Sequence, residues 1–167
     1  MSHQHRHIAF FAAGCFWGVQ DYFDQVPGVL ETEVGYSGGT LKDPSYEDVI
    51  SEKTGHAETV KVVFDPMRVS YHDLVRQFFR MHDPTQLNRQ GYDIGPSYRS
   101  AIFYMDAGQQ KVAEIIKAQL EAENWFDKPI MTEITAAGPF YPAEAYHQKF
   151  TKKTGRGACR VPYAPLS

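Results

Sequence analysis

The sequence predicts an α+β fold: a two-layer α/β sandwich with a mixed sheet, a split βαβ (ferredoxin-like) core and an irregular C-terminal tail. Three observations predict it. Apolar residues alternate or run together in several short segments, recur at helical spacing in the segments between them, and are punctuated by glycine and proline at the joins. The chain has 167 residues, of which 43% are hydrophobic and 22% charged, the balance of one ordinary globular domain. That domain is taken as 1–167, with a flexible start at 1–7 and a mobile tail at 152–167.

Residues 8–13 read as a short strand, apolar on both faces. The period then changes: Phe16, Val19, Phe23 and Val26 share one helical face, and Pro27-Gly28 ends the helix. Residues 29–36 alternate as a strand, and 37–44 form a loop by composition. A further strand spans 56–64, with Val60, Val62 and Phe64 on one face. Ser70 followed by Asp73 predicts a capping box, and Tyr71, Leu74, Val75, Phe78, Phe79 and His82 trace the buried side of the helix it opens. Residues 81–100 are polar and rich in glycine and proline. After them come a strand at 101–105, a helix at 107–124 built on Val112, Ile115, Ile116 and Leu120, and a strand at 130–136. Beyond Pro142 only a short helix near 143–149 is expected.

Composition excludes several classes of function. With 17 basic against 20 acidic residues and a net charge of −3, the chain lacks the basic excess of a nucleic-acid-binding domain. No apolar run is long enough to span a membrane. Ala12-Ala13-Gly14-Cys15 has the look of a lipoprotein cleavage box, but the apolar run before it, at 8–13, is shorter than the roughly 7–15 residues of a secretory core. A cytoplasmic location is therefore expected, and the chain is taken as a monomer. Cys15 and Cys159 are too few for a disulfide scaffold, and their spacing is nothing like a C-x-x-C metal or redox pair, so only the fold could bring them together.

Cys15 falls where a strand meets the first turn of a helix, in Gly14-Cys15-Phe16-Trp17-Gly18. Partial positive charge at a helix start favours a thiolate and hence a nucleophile. A buried cysteine packed as a small hydrophobe fits the position as well. Taken alone, Glu58 reads as a solvated strand charge, Tyr46 and Tyr98 as packed loop rings, and Asp93 as a turn residue.

Seven motifs in register change this balance. Gly14-Cys15-Phe16-Trp17-Gly18 is followed by Gly35-Tyr36-Ser37-Gly38-Gly39, Pro44-Ser45-Tyr46, Thr54-Gly55-His56-Ala57-Glu58, His82-Asp83-Pro84-Thr85, Arg89-Gln90-Gly91-Tyr92-Asp93 and Tyr98-Arg99-Ser100-Ala101-Ile102. Together they resemble the peptide-methionine sulfoxide reductases of the A class, over residues 8 to about 150. The resemblance implies that Cys15 attacks the sulfoxide sulfur, Glu58 supplies a proton to the oxygen, and Tyr46 and Tyr98 hydrogen-bond that oxygen. It further implies that Asp93 organises the site and that Phe16 and Trp17 hold the substrate methyl group. Tyr92 departs from the family, where asparagine is usual.

The resemblance also implies a sulfenic acid on Cys15, resolved by a second thiol. Cys159, in the glycine-rich tail, is the candidate, and the resulting Cys15–Cys159 disulfide would be reduced by thioredoxin or another external dithiol, with no cofactor. Substrates would be the S epimer of methionine sulfoxide, free or in oxidised proteins. Two other functions compete: a cysteine hydrolase or acyltransferase using His56, His82 or His147 as base, and a metal module built on His3, His5 and His7.

Overall fold

In the computed structural model residues 6–157 and 161–166 are described. The elements run β1 (His7–Ala13), α1 (Phe16–Asp24), β2 (Val29–Ser37), α2 (Tyr46–Ile50), β3 (Ala57–Phe64) and α3 (Tyr71–Met81). They continue with β4 (Arg89–Gln90), β5 (Asp93–Ile94), a 3-10 turn (Pro96–Tyr98), β6 (Ser100–Tyr104), α4 (Ala107–Ala122), β7 (Glu133–Ala136) and β8 (Phe140–Pro142). A second 3-10 turn (Ala145–His147) and α5 (Phe150–Thr154) follow.

Six strands form one mixed sheet in the order β7-β6-β1-β3-β2-β8, with β6 and β7 parallel and every other pair antiparallel. β1 lies between β3 and β6, and its side chains alternate. Ala9, Phe11 and Ala13 enter a large core with α1, α3 and α4, whereas Phe10 and Ala12 join a smaller cluster with Ala57, Ala101 and Phe103 on the opposite face. Both faces of the strand are covered, which is why its sequence is apolar throughout. The centre of the larger core is a stack of aromatic rings: Phe11 lies 5.0 Å from Phe23 and 5.4 Å from Phe78.

The predicted capping box of α3 is present in both arms. Ser70 Oγ accepts the Asp73 amide at 3.0 Å, and Asp73 Oδ2 accepts the Ser70 amide. Several expectations need correction. Ile115 is 54% exposed, because the buried line of α4 runs through Ala113 and Ile116. Residues 45–50, which no predicted element covered, include helix α2, and the polar stretch 81–100 carries β4, β5 and a 3-10 turn. The last predicted strand is shorter, and β8 was not foreseen. His7, assigned to a flexible start, pairs with Phe64 at the head of β1. At the other end the expected helix near 143–149 is a 3-10 turn followed by α5, so residues 152–154 are helical rather than tail.

Candidate active site

β1 delivers the chain to Gly14, whose φ of +99° and whose contact with Gln90 leave no space for a side chain: an added Cβ would lie 2.9 Å from Gln90 Cβ and Cγ. This turn sets Cys15 at the N-cap position of α1, half-buried. Phe16 follows, and its amide donates to Glu58 Oε1 at 3.1 Å. Glu58 thus sits beneath the helix start that carries the thiol, and it is only 2% exposed. It shares the core-facing row of β3 with Val60, Val62 and Phe64, which explains the burial.

Burial pushes the Glu58 carboxyl up to about 8, and the negative charges of Asp93 and Glu52 act in the same direction against the Phe16 hydrogen bond. It therefore holds its proton at neutral pH. Tyr46 opens α2, whose own capping box joins Ser45 and Asp48. Tyr98 closes the first 3-10 turn, and its phenol faces that of Tyr46 closely enough to lower the latter's pKa slightly against the effect of burial. Burial, and then the charge of Glu58, push both phenols above their usual range, so each remains a hydrogen-bond donor. Asp93 is exposed at the start of β5 and lines the same groove as Cys15.

That groove encloses about 1250 Å³, with Cys15, Trp17, His82, Asp93 and Trp125 among its walls. Trp17 stacks on Phe150 at 3.8 Å between ring centres and donates from Nε1 to His147 Nδ1 at 2.9 Å. Phe16 is 1% exposed, with its ring 5.2 Å from that of His147 and 5.8 Å from that of Tyr36. It packs in the core beneath the start of α1. Cys159 lies outside the described residues. Gly157 and Val161, two positions to either side of it in sequence, both line the groove that holds Cys15.

Two residues missing from the sequence reading of this site hold it together. Glu144 accepts the Tyr36 hydroxyl at 2.8 Å on one oxygen and the Tyr46 amide at 2.9 Å on the other. Burial alone would raise its carboxyl, but these bonds bring it below the usual carboxylate range. His147 orients Trp17 and was considered only as a general base. Neither lies in a motif with a local signal. For Glu58 a signal existed, since its parity with Val60, Val62 and Phe64 puts it on the buried face.

The competing nucleophile–base arrangement finds no support. Both ring nitrogens of His56 are engaged, one accepting from the Gly39 amide and the other bonded to the Leu41 carbonyl. His82 is bonded to the Phe78 carbonyl and Ser100, and Nδ1 of His147 is taken by Trp17. Among the described residues no group of three or more histidine, cysteine or acidic side chains could hold a metal, and no helix is long and apolar enough to cross a membrane. His3 and His5 lie outside the described residues.

Comparison with known proteins gives a concordant result. A family model described as peptide methionine sulfoxide reductase matches residues 7–167. Peptide methionine sulfoxide reductase MsrA of Geobacter metallireducens is 50% identical over 151 residues, 90% of this chain and 93% of its own. Its counterpart from Methanothermobacter thermautotrophicus is 52% identical over 151 residues, 90% of this chain and 89% of its own. Among solved structures, reduced Mxr1 of Saccharomyces cerevisiae superposes with a TM-score of 0.85 at 33% identity, covering 95% of this chain and 91% of that one.

Proposed function

The chain belongs to the peptide methionine sulfoxide reductase family, and from that premise we propose that it reduces the S epimer of methionine sulfoxide, free or in proteins, as repair of oxidative damage. The observation that carries this reading is the buried Glu58 carboxyl, which accepts the amide of the residue after Cys15 and which burial keeps towards its protonated form. A sulfoxide oxygen leaves poorly unless protonated, and a carboxyl kept neutral by burial supplies the proton where water is scarce. The Cys15 thiolate attacks sulfur, Glu58 protonates the oxygen, and Tyr46 and Tyr98 donate hydrogen bonds to it. Asp93 supports the proton on Glu58 through its charge. Trp17 forms the wall for the substrate methyl group, with Phe16 packed behind it.

The oxygen passes to Cys15 as a sulfenic acid while the thioether departs. Cys159 then displaces it as water, forming a Cys15–Cys159 disulfide, and a thioredoxin dithiol reduces that bond to two thiols, being oxidised itself. The position of Gly157 and Val161 on the groove wall supports Cys159 as the resolving thiol. No cofactor is required, because thiols carry both electrons. The placement of β3 between β1 and β2, and of β1 between β3 and β6, supports a split βαβ, ferredoxin-like core, and we take the chain as a single catalytic domain acting as a monomer. A reducing compartment such as the cytoplasm suits the cycle.

The test is a paired assay of wild type and Cys15→Ser on the two sulfoxide epimers with thioredoxin as sole reductant. Wild type should reduce only the S epimer and Cys15→Ser neither. Activity on both epimers overturns the reading. Cys159→Ser should complete one turnover and stop; sustained wild-type turnover removes Cys159 from the cycle.

A further inference from the structure

The two tyrosines stand on separate short elements, α2 and the 3-10 turn Pro96–Tyr98, and neither belongs to the six-stranded sheet. The Glu52 side chain joins the elements. Glu52 follows α2 and takes a φ of +64°, a left-handed backbone that disfavours any residue with a Cβ. In that conformation its carboxylate reaches the turn, where Oε1 accepts the Ser97 amide at 2.9 Å and Oε2 accepts the Ser97 hydroxyl at 2.7 Å. Ser97 is fully buried and immediately precedes Tyr98. Gly95, with a φ of +137°, lies so close against the same carboxylate that an added Cβ would displace it from Ser97.

We infer that Glu52 is a positioning residue: its two-pronged grip on Ser97 fixes the distance between α2 and the 3-10 turn, and so holds the Tyr46 and Tyr98 hydroxyls as one donor pair. The inference rests on the oxygen-binding role proposed above for those tyrosines. Each tyrosine segment then has its own anchor. Glu144 holds the Tyr46 amide from the C-terminal side, and Glu52 ties the far end of α2 to the segment carrying Tyr98. A charge-assisted pair of bonds to one buried residue is stronger and more directional than a neutral contact. Such a clamp restrains a loop-borne donor to the narrow geometry that oxyanion-type stabilisation needs.

The test uses the full-length protein with Glu52→Gly, Glu52→Gln, Tyr46→Phe and Tyr98→Phe. Glycine accepts the positive φ, so Glu52→Gly should remain folded while losing the clamp. Its kcat for peptide methionine sulfoxide should fall by roughly tenfold or more with KM changed little, the signature of misplaced transition-state donors. Alkylation of Cys15 by iodoacetamide should proceed at the wild-type rate. Glu52→Gln keeps an acceptor for the Ser97 amide and offers a donor to its hydroxyl, and should restore kcat to within about threefold of wild type. Wild-type kcat in Glu52→Gly, or an equal loss in Glu52→Gln, overturns the inference. Slowed alkylation overturns it too, because the damage is then general. If both tyrosine variants keep full activity, the oxygen-binding role itself fails. If they lose activity and Glu52→Gly does not, only the clamp fails.

Discussion

Oε1 of Glu58 is engaged by the Phe16 amide, so the acid is tied to the backbone next to the nucleophile and cannot drift from it. Glu58→Gln keeps that acceptor and the shape of the side chain but has no proton to give. Its kcat should fall by roughly 100-fold or more, while Cys15 alkylation persists. In wild type, deprotonation of the acid should bring kcat down as pH rises past about 8, with Glu58→Gln lacking that limb. A pH-independent wild-type rate through this range would remove Glu58 as the acid. At this scale the sequence was informative where chemistry and chain position coincide: Cys15 at a helix start is visible as a candidate nucleophile, although a packed thiol fits the position as well until the motifs are read in register. Glu58 was less legible, because a charge on a strand normally marks the solvent side and only its parity with Val60, Val62 and Phe64 marks it as buried. Glu144 and His147 were illegible, since their roles exist only through contacts with Tyr36, Tyr46 and Trp17, far away in the chain.

Two elements carry the same start signal with different consequences. Ser70 and Asp73 cap α3, and Ser45 and Asp48 cap α2 in the same manner. The first was legible because eleven residues of helical periodicity follow it. The second was not, because a five-residue helix offers too few turns to show a period. Replacing either serine by alanine should cost about 1 kcal/mol of stability, measurable by denaturant unfolding. The two variants should differ in activity. Ser70→Ala leaves kcat unchanged below its melting range, as α3 carries no site residue, whereas Ser45→Ala lowers kcat because α2 carries Tyr46. Equal kcat in both would show that the α2 cap does not restrain the tyrosine. The short strand β8 was equally hidden, as three residues including Pro142 present no alternation and are recruited only by pairing with β2.

Across the whole molecule two buried groups give stability a pH dependence of opposite sign. Glu58 has its carboxyl raised from 4.5 to about 8, so its contribution is complete at low pH and is lost as pH climbs through about 8. His82 is lowered by burial from 6.5 to about 4, so its contribution is complete above 6.5 and is lost as pH falls through about 4. Thermal melts should therefore weaken towards both extremes. Glu58→Gln should flatten the alkaline side and His82→Asn the acid side. An unchanged slope in either variant would reassign that limb. The sheet core was readable in sequence because period and burial agree there, while the site depends on segments from both ends of the chain. That division sets an order of events during synthesis. Cys15 emerges from the ribosome early, but the partner of Trp17 lies 130 residues later and that of the Tyr46 amide 98 residues later. The nascent thiol is thus made long before its surroundings exist, and those surroundings are complete only once translation has passed His147.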